Sequence, residues 1–288
     1  MLNLCRRASF GSIAALAACW SVTCHAFVVG VDDLSVIRND AAFFHDSFSD
    51  GVPPPSGPNG DATYNVLGSI PVESSGMVFL DSANGASNSS TSNAIEESRI
   101  EQRVRLLTNI DSSNFAAGLK SDDTISFTGV FSLTTPSGVF NPQYSIRLTD
   151  ASGGGPHQAA QLQVLLNSTT GLPVVRYIFQ NFDANTITVL GSALFAPPVG
   201  ADEIRLNISR PNTANDNAFA SFAYLSSGVS VGGTSFATAA QLFQVEDFVR
   251  AEFNVSDGVA AVPEPETYAM LLAGLGVLGW ASRRRKLT

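Results

Sequence analysis

Between Phe27 and Ala261 the dominant signal is an apolar residue at every second position, and that period directs the chain into half-buried β-strands. In "TISFTGVFSLTT", Ile125, Phe127, Phe131 and Leu133 fall on one face. In "YSIRLTD", Tyr144, Ile146 and Leu148 do so, with Ser145 and Arg147 opposite. The pattern returns at Leu162, Val164 and Leu166, at Val175, Tyr177 and Phe179, and at Ile187 and Val189. It continues at Ile204, Leu206 and Ile208, at Phe222 and Tyr224, and at Val249, Ala251, Phe253 and Val255. A period of two puts successive side chains on opposite faces, so each strand should carry one buried and one wet face.

Turn-forming clusters separate these runs: "TDASGGGP", "LNSTTGLP", "NFDANT" and "RPNTANDN". Short strands joined by polar turns, without alternating helices, predict an all-β fold, an antiparallel β-sandwich or jelly roll. Only Ala94–Leu107 has helical spacing, and it predicts a surface helix or a loop leading into a strand at Val104–Ile110. The Pro/Gly-rich Ser49–Gly60 and the polar Leu80–Asn93 are predicted loops, and neither divides the pattern into balanced halves. Residues 27–261 are therefore expected to form a single domain.

The two ends follow other rules. At the N-terminus Arg6 and Arg7 precede an apolar run from Ala8 to about Val22, and Cys24-His25-Ala26 has the small-residue form of a cleavage site. This is the pattern of a secretory signal peptide over residues 1–26, cut by signal peptidase after Ala26 and delivered through the secretion translocon. Leu16-Ala17-Ala18-Cys19 resembles a bacterial lipobox, which would instead make Cys19 the lipidated first residue. Cleavage after Ala26 is the favoured alternative.

All three cysteines, Cys5, Cys19 and Cys24, lie in that leader, so a product cut after Ala26 has no disulfide and relies on its core. The chain has 16 basic and 25 acidic residues. Without Arg6, Arg7, Glu264, Glu266 and the block Arg283, Arg284, Arg285 and Lys286, the net charge is about −13. A product with no basic cluster is a poor nucleic-acid binder, because phosphate recognition needs Lys/Arg patches.

Catalytic sets are sparse. "GGTSFATAA" (Gly232–Ala240) resembles the nucleophile segment of subtilisin-type proteases, which implies Ser235 as nucleophile with a His base and an Asp orienter. Only His45 and His157 remain after leader removal, neither in a His-Gly-Thr setting, so this segment is predicted to be a small-residue loop before a strand. Both tryptophans, Trp20 and Trp280, lie in the terminal segments, which deprives the product of the usual stacking platform for pyranose rings. Acidic pairs occur at Asp32-Asp33 and Asp122-Asp123, and "NTANDN" is rich in oxygen ligands, but nothing has EF-hand or nonapeptide-repeat spacing. No zinc, Walker or dinucleotide motif is present, and no cofactor is called for.

The opening "FFHDSFSDG" (Phe43–Gly51) and the closing "LFQVEDFVRAEF" (Leu242–Phe253) are similar to the first and last strands of concanavalin A-like lectin/glucanase sandwiches. The resemblance implies a jelly roll whose last strand pairs with its first, often with a structural calcium and sometimes with sugar bound on the concave face. Asp122 and Asp123 are the candidate calcium ligands. Glucanases of this fold carry a Glu-x-Asp-x-x-Glu pattern. Here Glu246 and Asp247 are adjacent and point to opposite faces, so they, Glu252, Asp202 and Glu203 are expected to be solvated strand-edge charge.

At the C-terminus Pro263-Glu264-Pro265 forms an extended segment that neither strand nor helix can cross. Tyr268–Ala281 is uncharged, and as a helix spans about 21 Å, short of a hydrocarbon core of about 30 Å. Arg283, Arg284, Arg285 and Lys286 then form a positive-inside stop. Proline motif, short transmembrane helix and basic stop over residues 262–286 together resemble the PEP-CTERM sorting signal of Gram-negative bacteria. The resemblance implies recognition and cleavage near Pro263–Glu266 by an exosortase, in a host that makes exopolysaccharide. The expected protein is an exported, non-enzymatic surface or matrix component, transiently held at the inner membrane. The alternative is a carbohydrate-binding module or glycoside hydrolase acting on exopolysaccharide.

Overall fold

The computed structural model describes residues 27–52, 62–87, 99–108, 123–137, 142–152, 155–167, 169–211, 217–241 and 248–258. The strands run in chain order as β1 (Val28–Arg38), β2 (Ala41–Asp46), β3 (Ala62–Leu67), β4 (Val72–Ser74), β5 (Met77–Asp81) and β6 (Ala86–Ser87). Next come β7 (Arg99–Thr108), β8 (Ile125–Ser132), β9 (Gln143–Ser152), β10 (Gly155–Leu166), β11 (Pro173–Asn181) and β12 (Thr186–Leu194). The last are β13 (Glu203–Arg210), β14 (Asn217–Ser226), β15 (Val229–Ser235), β16 (Ala240–Gln241) and β17 (Phe248–Gly258). One sheet has the order β15-β14-β13-β8-β1-β5-β4, with β2 also on β1 and β16 on β14. The other has the order β12-β11-β10-β9-β17-β7-β3, with β6 on β7. The described pairings are antiparallel.

The two sheets share one core, built from the residues that the alternation marks. Phe127, Phe131, Tyr144, Ile146, Leu148, Leu162, Val164, Val175, Tyr177, Ile204, Leu206 and Ile208 are fully buried, and Phe253 and Val255 join them. Aromatic contacts knit the layers, as between Phe131 and Tyr144 with centroids 5.3 Å apart. The Tyr177 hydroxyl crosses from β11 to donate to the Ala218 carbonyl on β14 at 2.8 Å, so its polar end is satisfied inside the core.

The "FFHDSFSDG" motif acts as a corner. Phe44 and Phe48 enter the core, and the Asp46 carboxylate accepts the Phe48 N–H at 2.8 Å, which stabilises the turn. Phe48 adopts φ 48°, uncommon for an aromatic residue, and packs on Phe253 of β17 with centroids 6.2 Å apart.

Several expectations are corrected. Residues 99–108 are strand, not a surface helix, and the strand expected from Val104 begins already at Arg99: β7 lies between β17 and β3, and pairing on both sides overrides the helix preference of its Glu and Arg residues. The first and last strands are not neighbours in one sheet. β17 pairs with β7 and β9, and it meets the opening motif across the core instead. Ile187 and Val189 do not reach the core, because the register of β12 shifts opposite Tyr177/Ile178 and turns both residues outward. The same shift places Gly191 inward, where a Cβ would lie 2.3 Å from the Phe236 ring, so only glycine fits. Finally, "GGTS" is strand rather than loop, since Gly232–Ser235 completes β15. Among the described residues no helix is long and apolar enough to cross a membrane.

Candidate functional site

The outward faces of the two sheets differ in chemistry, and any site must be built on one of them. On the second sheet the register aligns Arg103, Asn254, Ser145, Gln163 and Arg176 in one row, and Glu252, Arg147 and Gln161 in the next. These rows lie opposite the apolar core rows and are largely closed to water. Ser145 is fully buried, Glu252 is 2% exposed and Arg147 8%.

Burial of so many polar groups requires partners. Gln161 Nε2 donates to Ser145 Oγ at 2.8 Å, Ser145 Oγ donates to Asn254 Oδ1, and Asn254 Nδ2 donates to Glu101 Oε1. Arg147 donates to Glu252 Oε2 from Nε at 3.0 Å and from a terminal nitrogen at 2.5 Å. Arg103 stands 3.8 Å from both Glu101 and Glu252 and joins the two halves. Glu252, expected as solvated strand-edge charge, is thus a buried, paired carboxylate in the middle of a sheet. The carboxylates of Glu101 and Glu252 thus sit within a network of charge-assisted hydrogen bonds and ion pairs that ties β7, β17 and β9 together. Arg176, half-buried at the margin of this face, has its guanidinium pKa lowered by burial. The Thr149 hydroxyl, the Gln180 carbonyl and the Ser256 hydroxyl on the same strands have no hydrogen-bond partner among the described residues.

The first sheet offers an open face. One row there runs Ser235, Ser221, Asn207, Thr128, Ser35 and His45 across β15, β14, β13, β8, β1 and β2. His45 Nε2 lies 2.5 Å from Asp33 Oδ2, but five strand spacings, about 24 Å, separate this pair from Ser235. A Ser–His–Asp relay needs contact at about 3 Å, so this serine and this histidine do not form one. Over the same sheet lies a groove of about 570 Å³, lined by Arg205, Asn207, Ser221, Ser230, Thr234 and Ser235. The Asn207 amide is held by Ser126 and Thr128 at 2.9 and 2.8 Å, which fixes its position in the groove.

The acidic residues have separate roles. Asp202 caps the Ser227 N–H at 3.1 Å, holding the β14–β15 turn. Asp32 sits at the register shift of β1 and shares a hydrogen bond with Glu203. Burial, then the neighbouring Asp33, raises the Asp32 pKa; burial, then Asp32 and Asp202, raises that of Glu203. Asp123 belongs to a clasp on the β1–β2 hairpin: Asn39 Nδ2 donates to it at 2.6 Å, Arg38 faces it at 4.0 Å, and Arg210 donates to its carbonyl at 3.0 Å. Among the described residues no group of three or more His, Cys, Asp or Glu is placed to hold a metal. Asp122, Glu246, Asp247, Ala26, Pro263, Glu264, Pro265, Arg283, Arg284, Arg285 and Lys286 lie outside the described residues.

The buried network is what sequence reasoning missed. Its signal is present as Ser145-x-Arg147-x-Thr149, Gln161-x-Gln163 and Glu252-x-Asn254-x-Ser256, three strands whose "wet" positions carry complementary donors and acceptors. Their adjacency appears only once β9 is seen between β10 and β17.

No curated protein matches this chain. Residues 261–286 match the family model described as the PEP-CTERM protein-sorting motif, so the C-terminus carries the sorting signal of an exosortase substrate.

Proposed function

We propose that this chain is a non-enzymatic component of a bacterial cell surface or extracellular matrix. The secretion translocon exports it and signal peptidase cuts it after Ala26. Residues 268–281 and the Arg283–Lys286 stop hold it briefly at the inner membrane. Exosortase then cuts near Pro263–Glu266 and releases an acidic β-sandwich beside exopolysaccharide. The match of residues 261–286 to the sorting motif carries this reading. The two-layer antiparallel build and the corner at Phe44 and Phe48 support a concanavalin-like jelly roll as its finer architecture. Deleting residues 263–265 tests the processing step. The full-length precursor should accumulate in the membrane fraction, whereas unchanged release from the cell would contradict the proposal.

The groove over β13, β14 and β15 favours a second reading, carbohydrate binding. Its lining of hydroxyls, one fixed amide and the Arg205 guanidinium suits a hydroxylated ligand. Saturable glycan binding that Arg205→Ala weakens would support it, and a reducing-sugar assay on the same sample would detect turnover.

A further inference from the structure

Strand β12 ends the second sheet, and no described strand pairs with its far side. An edge of this kind presents unpaired backbone donors and acceptors, and soluble proteins blunt such edges with charge, proline, shortness or a β-bulge. β12, "TITVLGSAL", is nine residues long, without charge and without proline, and its register shift at Leu190 leaves Thr186–Val189 in regular pairing with β11. Its exposed apolar side chains include Ile187 at 39%, Val189 at 54% and Leu194 at 63%. The outer edge of the first sheet is managed differently at each end. β4 is three residues long with Glu73 at its centre, and β15 carries Gly233 at φ 153° beside a register shift.

Charge restricts where a second copy can dock. The chain carries a net −9, so most of its surface repels a second copy. An uncharged edge lets two copies approach without facing like charges. The sequence is also self-complementary about Thr188. An antiparallel pairing through a two-fold axis there sets Ile187 opposite Val189 of the second copy, and Val189 opposite its Ile187. β-Branched residues facing each other across strands stabilise such a pair, and an isologous interface of this kind closes as a dimer.

We propose that β12 is an assembly edge, on which a second copy of this chain adds as an antiparallel strand about a two-fold axis at Thr188. The paired stretch is short, so the association is weak and concentration-dependent. It depends on the edge alone and stands independently of how the chain is exported or processed.

Cross-linking at the axis tests it. In the full chain carrying Cys5→Ser, Cys19→Ser and Cys24→Ser, Thr188→Cys brings two Cα atoms within about 4.5–5.5 Å, inside disulfide range. Mild oxidation should give a disulfide-linked dimer as the main product. Ser192→Cys, off the axis on the same strand, should give at most a tenth of that yield. Adding Val189→Lys to the Thr188→Cys chain should lower the yield at least tenfold, with an unchanged far-UV circular dichroism spectrum showing that the fold persists. Sedimentation of the wild-type chain should show a dimer fraction that rises with concentration and is lost with Val189→Lys. Equal yields at positions 188 and 192, or a yield and sedimentation profile that Val189→Lys leaves unchanged, would overturn the proposal.

Discussion

The outward faces of the two sheets obey the same alternation and meet opposite fates. On the first sheet one outward row holds hydroxyls, the Asn207 amide and the His45 imidazole, and the Arg205 guanidinium beside it is exposed. On the second sheet the outward row holds Arg147, Glu252, Asn254 and Ser145, and all of them are buried. A period of two fixes which side chains share a face, but it does not fix which face meets water. The second sheet meets the resulting problem by pairing Arg147 with Glu252, Gln161 with Ser145 and Asn254 with Glu101 across neighbouring strands.

Truncating one member of the buried pair should therefore separate the two faces most sharply. Arg147→Ala leaves the Glu252 carboxylate buried without its main partner, and should cost about 3–5 kcal/mol in chemical denaturation. Arg205→Ala on the open face should change stability by less than about 0.5 kcal/mol. Replacing both partners, Arg147→Met with Glu252→Leu, should recover most of the loss, because two apolar side chains leave no stranded charge. If Arg147→Ala and Arg205→Ala cost the same, the contrast between the faces fails.

Gly191→Ala probes the corner where β12 turns its apolar residues outward. Its new methyl would meet the Phe236 ring, and overpacking of this kind should cost about 1–3 kcal/mol. Tyr177→Phe removes one hydrogen bond across the core, from β11 to the Ala218 carbonyl, and should cost about 0.5–1.5 kcal/mol with the fold intact.

The smallest effect belongs to the acidic pair on the open sheet. Both Asp32 and Glu203 have raised pKa values in the folded chain, so their contribution to stability is full below the usual carboxylate range. It is lost as pH rises through the raised folded-state values. Thermal stability should accordingly gain a little as pH falls from neutral toward the carboxylate range. Glu203→Gln should raise Tm slightly at neutral pH, by ~1 °C for a half-buried pair still in reach of solvent, and flatten that pH dependence.

Much of the core was legible because burial of one strand face writes itself into the sequence: Tyr144, Ile146 and Leu148 are in, as their spacing requires. The alternation was misleading where a register shift intervenes, as at Ile187 and Val189, since one extra residue inverts the faces beyond it. It was silent only over the first half of β7, where Glu101 and Arg103 look helical until Glu252 and Asn254 appear on the neighbouring strand. Ser235 and His45 illustrate the remaining limit: both residue types are present, and strand order alone places them about 24 Å apart. The sorting signal was the most legible part of all, because a short motif read by a protease needs only its local order of proline, apolar and basic residues.

Mass spectrometry of both ends of the protein recovered from the cell surface or medium tests the central claim most directly. A chain that begins at Phe27 and ends within Pro263–Glu266 is the predicted result. An intact chain that retains Arg283–Lys286 and stays in the cytoplasm would contradict it.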